Sequence, residues 1–103
     1  MTIKSEVVFS GHGNEVVVEL SSDGVVVDLS PVTRVVVSSA AVMVDSDVTA
    51  GAIDWSLGNG QIKLMFGGLS LPVRLHSNAR IITYDSSNPA GIVWTDDFQF
   101  EVR

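Results

Sequence analysis

The sequence predicts an all-β fold, an antiparallel sandwich of about seven to nine short strands. Three observations predict it. Valine supplies 18 of the 103 residues, much of it in the blocks Val16-Val17-Val18, Val25-Val26-Val27 and Val35-Val36-Val37. Side chains branched at Cβ are stiff at χ1 and pack well on a pleated surface. Several segments alternate apolar and polar residues with period two, so each strand buries one face and two sheets are needed to cover both. No stretch carries apolar residues at helical spacing, and nine glycines and three prolines interrupt the chain. A small closed barrel satisfies the same pattern.

The elements follow in order. Glu15 to Leu20 and Val25 to Leu29 read as two arms around Ser21-Ser22-Asp23-Gly24, where a hairpin or a sharp bend belongs, because Asp-Gly supplies the positive φ of a tight turn. Pro31 ends the second arm, since it has no N–H for a ladder. A strand is expected from Thr33 to Ser39, continuing through Val42-Met43-Val44 after a bulge at Ala40-Ala41. Next comes a hairpin: Ile53, Trp55 and Leu57 face one way, Gly58-Asn59-Gly60 turns, and Ile62, Leu64 and Phe66 continue the apolar face. The last unit runs Ala79 to Asp85, loops through Ser86-Ser87-Asn88-Pro89-Ala90, and returns over Gly91 to Val102. There Ile92, Trp94, Phe98, Phe100 and Val102 share one face, with Val93, Thr95, Gln99, Glu101 and Arg103 on the other. Asp96 falls on the apolar face, so either a bulge at Asp96-Asp97 turns it outward or it sits at the core's rim. Short turns are allowed only near Pro31-Val32-Thr33 or Ser86-Ser87-Asn88.

Twelve acidic against six basic residues give a net charge of −6. That balance argues against a nucleic-acid groove or an anionic membrane surface, each of which needs a basic patch. With no cysteine, disulfides, thiolate metal sites and thiol nucleophiles drop out. The apolar runs fall far short of the ~20 residues that span a bilayer, and Met1 to Glu6 does not begin a signal peptide. The expectation is a soluble, single-domain protein over residues 1–103, made in the cytoplasm.

Candidate chemistry is thin. His12, in Gly11-His12-Gly13-Asn14, and His76, in Leu75-His76-Ser77-Asn78, both read as loop residues. A triad would need one of them beside an activated serine, and Gly68-Leu69-Ser70-Leu71-Pro72 starts like a nucleophile elbow but lacks its last glycine. Asp45-Ser46-Asp47 opens like a calcium loop, yet Ala50 stands where glycine is required and Ser56 where the closing glutamate belongs. Asp85, Asp96 and Asp97 are candidates to meet across the last hairpin as a weak cation site, against the default of solvated strand-end carboxylates. Trp55, Trp94 and Tyr84 are candidates for a sugar-stacking platform, but their apolar neighbours place both tryptophans in the core and Tyr84 half in it. Gly58/Gly60 and Gly67-Gly68 follow strand turns and open no helix, so they make no phosphate loop. No catalytic, cofactor-binding or metal residue is assigned, and no cofactor is expected.

Valine-rich strands with few charges stick at sheet edges. Val25-Val26-Val27 and Val35-Val36-Val37, with only Asp28 and Arg34 nearby, are either both central strands, or one is an edge covered by another chain.

The run Gly24-Val25-Val26-Val27-Asp28-Leu29-Ser30 and the Ala52-Ile53-Asp54-Trp55 hairpin resemble immunoglobulin-like domains of bacteriophage tail and baseplate proteins. The ending is similar to that of small phage and prophage tail-associated proteins: Ile81-Ile82-Thr83-Tyr84-Asp85, Asn88-Pro89, Gly91-Ile92-Val93-Trp94 and Phe98-Gln99-Phe100-Glu101-Val102. The likeness spans roughly Gly11 to Arg103. It implies an immunoglobulin-like β-sandwich and a structural or interaction subunit of a phage or prophage particle, an accessory or adaptor of its tail. Its partners would be other phage structural proteins or further copies of itself, its location the virion, and it implies no catalytic residue. A carbohydrate-binding module is the second reading and an enzyme the third.

Overall fold

The computed structural model describes residues 6–49, 51–56, 60–69 and 71–103. Ten strands lie among them, more than the expected count because several hold only two or three residues: β1 (Glu6–Val8), β2 (Val16–Glu19), β3 (Ser21–Ser22), β4 (Val25–Val26), β5 (Arg34–Ser38), β6 (Met43–Asp45), β7 (Ile53–Asp54), β8 (Gln61–Leu64), β9 (Leu75–Asp85) and β10 (Asn88–Val102). The one helical piece among the described residues is a 3-10 turn over Phe66–Gly68, away from both turn positions expected.

A five-stranded sheet has the order β1-β10-β9-β5-β6, a three-stranded sheet the order β2-β8-β7, and β3-β4 form a separate ribbon. All pairs are antiparallel except β1 with β10. The core draws on both sheets: Val35, Val37, Ile81, Phe98, Phe100 and Val102 from the larger, Val16, Val18, Ile53, Ile62 and Leu64 from the smaller. Phe66, just past β8, meets Phe100 on β10 with ring centroids 4.9 Å apart, tying the chain after the small sheet to the large one. Burial alternates along β2 and β8 as period two requires.

The Ile53–Leu64 hairpin forms, with Ile53 opposite Leu64 and Asp54 opposite Lys63; the turn residues Leu57, Gly58 and Asn59 lie outside the described residues. Three expectations are corrected. The Glu15–Leu20 arm does not pair with Val25–Leu29 along its length. β2 pairs with β8, and only the short ribbon, extended by the Val27 N–H donating to the Leu20 carbonyl at 3.0 Å, returns beside it. Ala40-Ala41 is a tight reversal, not a bulge: the Ser39 N–H reaches the Val42 carbonyl at 2.7 Å, and β6 folds back with Val37 opposite Val44. The loop between the last two strands shrinks to Ser86-Ser87, with Asn88 opposite Asp85.

Strict parity fails along β10, whose register against β9 shifts four times. Between Thr95 and Phe98 one extra residue bulges out, so Asp96 and Asp97 are exposed and no carboxylate enters the core there. The same shifts bury Thr95 and leave Ile92 and Trp94 half-buried. Gly67 shows how closely the loop after β1 approaches. A Cβ there would lie 2.4 Å from the His12 carbonyl oxygen, and the two backbones exchange bonds at 2.9 and 3.0 Å. Only glycine admits that approach.

Candidate functional site

The two valine blocks have opposite fates. Val35-Val36-Val37 lies in β5, flanked by β9 and β6, and is fully buried. Val25 and Val26 form β4, which among the described residues pairs only with β3, and they are 68% and 44% exposed. The turn joining them takes consecutive left-handed residues, Asp23 at φ 52° and Gly24 at φ 78°, the conformation of a primed hairpin turn. A two-stranded ribbon is marginal in water and gains from a third strand.

The strongest polar cluster is one that the linear pattern did not bring together. Arg34 on β5 donates from Nε to Asp45 Oδ1 at 3.0 Å and from its terminal nitrogen to Asp45 Oδ2. Asp45 is 5% exposed and also accepts from the Asp47 N–H at 2.9 Å. The guanidinium lies 4.7 Å over the Tyr84 ring, a cation–π contact that fixes its plane. Ser46 accepts from the Val35 N–H at 3.0 Å. The Arg34 guanidinium, with the Asp47 N–H, holds the Asp45 carboxyl below the usual carboxylate range although burial pushes it up. Both Asp45 oxygens are thus occupied, so Asp45-Ser46-Asp47 is an ion-paired strand end and does not form an open calcium loop. Ala50 is outside the described residues, and Ser56 is bound to Asp54 Oδ1 through its N–H and its hydroxyl.

Asp85 and Asp97 are similarly engaged, while Asp96 is exposed. Asp85 accepts from the N–H groups of Ser87 and Asn88 at 2.9 and 2.8 Å, closing the last turn. Asp97 accepts from the Thr95 hydroxyl. Among the described residues no three His, Asp or Glu gather into a metal-holding group.

His12 is exposed, beside Phe9 and Asn14 on an open hollow of about 590 Å³. His76 is not a loop residue. It belongs to β9 and is 2% exposed; its Nε2 lies 2.9 Å from the Pro72 carbonyl and its ring stacks on Phe100 at 4.8 Å. Ser70 lies outside the described residues. Trp55 and Trp94 are half-buried against the core. Their indole N–H groups donate to the Val32 carbonyl at 3.1 Å and the Thr83 hydroxyl at 2.8 Å, while Arg34 covers Tyr84. Trp55 lines a hollow of about 250 Å³ with Ile53, Asp54 and Ser56, which neither Trp94 nor Tyr84 lines. No described helix is long and apolar enough to cross a membrane.

Compared with models of known protein families, with curated proteins and with solved structures, the chain matches none.

Proposed function

We propose that the chain is an immunoglobulin-like β-sandwich acting as a non-catalytic interaction subunit of a phage or prophage particle, associated with its tail or baseplate. Strand order supports the sandwich reading. An immunoglobulin sandwich puts its first, second, fifth and fourth strands in one sheet and its third, sixth and seventh in the other, and the variable type adds two strands beside the third; β1 departs from this by pairing with β10. Here β2, β8 and β7 occupy the first set, β5, β9 and β10 the second, and β6 lies beside β5. The antibody-type disulfide has no counterpart, since there is no cysteine. The particle itself rests on the residue resemblance described above.

The observation that carries the interaction reading is β4: an apolar strand in a two-stranded ribbon, its two valines exposed. It lacks the lysine, proline or bulge that normally guards such an edge. Its role is to take a further strand, from a second copy or from a neighbouring subunit. Wild-type chain is expected to gain mass in sedimentation as its concentration approaches about 1 mM, whereas Val25→Lys stays monomeric. Val25 is exposed, so that substitution leaves stability nearly unchanged. Identical sedimentation of the two refutes β4 as the self-pairing edge. A sugar module would instead use an open aromatic face; Trp55 lines a hollow of about 250 Å³ with Asp54 and Ser56, but neither Trp94 nor Tyr84 lines it.

A further inference from the structure

We propose that the hollow between the β5–β6 turn and the start of β9 binds a small oxyanion, a phosphate or a carboxylate group. This site is independent of the β4 edge and of any partner there. Its volume is about 220 Å³, and Ser39, Arg74, His76, Ser77 and Asn78 supply its polar lining. At ~30 Å³ per water that is space for about seven waters, or one oxyanion with part of its shell.

The charge pattern points the same way. The chain carries twelve carboxylates and a net charge of −6, yet no Asp or Glu lines this hollow. Among the described residues Arg34, Lys63 and Arg103 each have an acidic partner within 4.0 Å. Among the described residues Arg74 and Arg80 have none; Arg74 lines the hollow, whereas Arg80 stands opposite Ser38 on β5. Among the described residues Arg74 uses only Nε, in a long 3.4 Å contact with the Leu75 carbonyl, so its two terminal nitrogens suit bidentate capture of an oxyanion.

Two features of β9 shape the rest of the lining. Phe98 opposes Ala79 while Phe100 opposes His76, so β9 carries one residue too many at Ser77-Asn78, and Asn78 takes a left-handed φ of 55°. Bulges of this kind re-aim side chains beside binding sites. His76 is buried, and a carbonyl only accepts, so Nε2 carries the proton given to Pro72. Nδ1 makes no hydrogen bond among the described residues, and no buried side-chain polar atom there lacks a partner. In that tautomer Nδ1 is an acceptor and gives an oxyanion no proton; the ring borders the hollow and reports its occupancy without donating to it.

The test is a nuclear magnetic resonance titration of the full chain with sodium phosphate, and separately with sodium acetate, at ionic strength held constant with sodium chloride. The His76 ring and the Ser77 and Asn78 amides are expected to shift and saturate. Arg74→Ala, an exposed position, is expected to weaken binding about tenfold or more while leaving core signals in place. Whichever anion saturates at the lower concentration identifies the class of group the site takes. Shifts that never saturate with either anion overturn the proposal. So does a folded Arg74→Ala variant that binds as tightly as wild type.

Discussion

Replacing Phe100 with alanine is expected to destabilise the fold by about 3–5 kcal/mol, against a total of roughly 5–15 kcal/mol for a chain of this size. Phe100 is fully buried and meets Phe66, His76 and Phe98 at centroid distances of 4.9, 4.8 and 5.6 Å. Its loss removes the ring that joins β10 to the chain leaving the smaller sheet and opens a cavity that a β-sheet backbone cannot close. Phe100→Leu keeps most of the volume and should cost about 1–1.5 kcal/mol. Urea unfolding reads both: the midpoint falls strongly for alanine and slightly for leucine, with similar slopes. An alanine variant as stable as the leucine one would mean that the two sheets do not share this core.

The second large effect lies at Asp45. Asp45→Asn keeps the side chain's shape but leaves Arg34 held over Tyr84 without its counter-charge, and the midpoint of thermal unfolding is expected to fall by about 5–10 °C at neutral pH. The acid dependence gives the sign independently. The folded carboxyl is held below the ordinary value of 3.8, first by the Arg34 hydrogen bonds. The unfolded chain therefore binds more protons in that range, and the contribution of Asp45 is complete above pH 3.8 and is lost as pH falls toward the lower folded value. Asp28 and Asp54 are also lowered, by bonds from Ser30 and Ser56, so both proteins weaken in acid. The gap between wild type and Asp45→Asn should close as pH drops through this window; a gap that stays constant contradicts the assignment.

Much of the fold was legible where pattern and turn chemistry were local. The Asp23-Gly24 turn and the alternation through Ile53–Asp54 and Gln61–Leu64 needed only neighbours in sequence. The outward bulge at Asp96-Asp97 followed from the cost of burying a carboxylate. Pairing β2 with β8 was not legible, because nothing local distinguishes that partner from the strand just beyond the turn. Reading Ala40-Ala41 as a bulge hid the β5–β6 hairpin, and with it the register that puts Arg34 diagonal to Asp45. Once Val36 stands opposite Asp45, position 34 falls opposite 47, and the ion pair follows. His76 was hidden by phase. Counting back from buried Ile81 and Ala79 in twos puts Ser77 inside and His76 outside, but the extra residue at Ser77-Asn78 reverses them. The oxyanion hollow arises from the same bulge, so no linear motif announces it.

The central claim, that this chain is a subunit of a phage or prophage particle, is tested most directly by mass spectrometry of particles purified from the source organism after prophage induction. The account predicts peptides from this chain co-purifying with tail proteins in a fixed ratio that gives its copy number. Intact particles from which the chain is absent would contradict it.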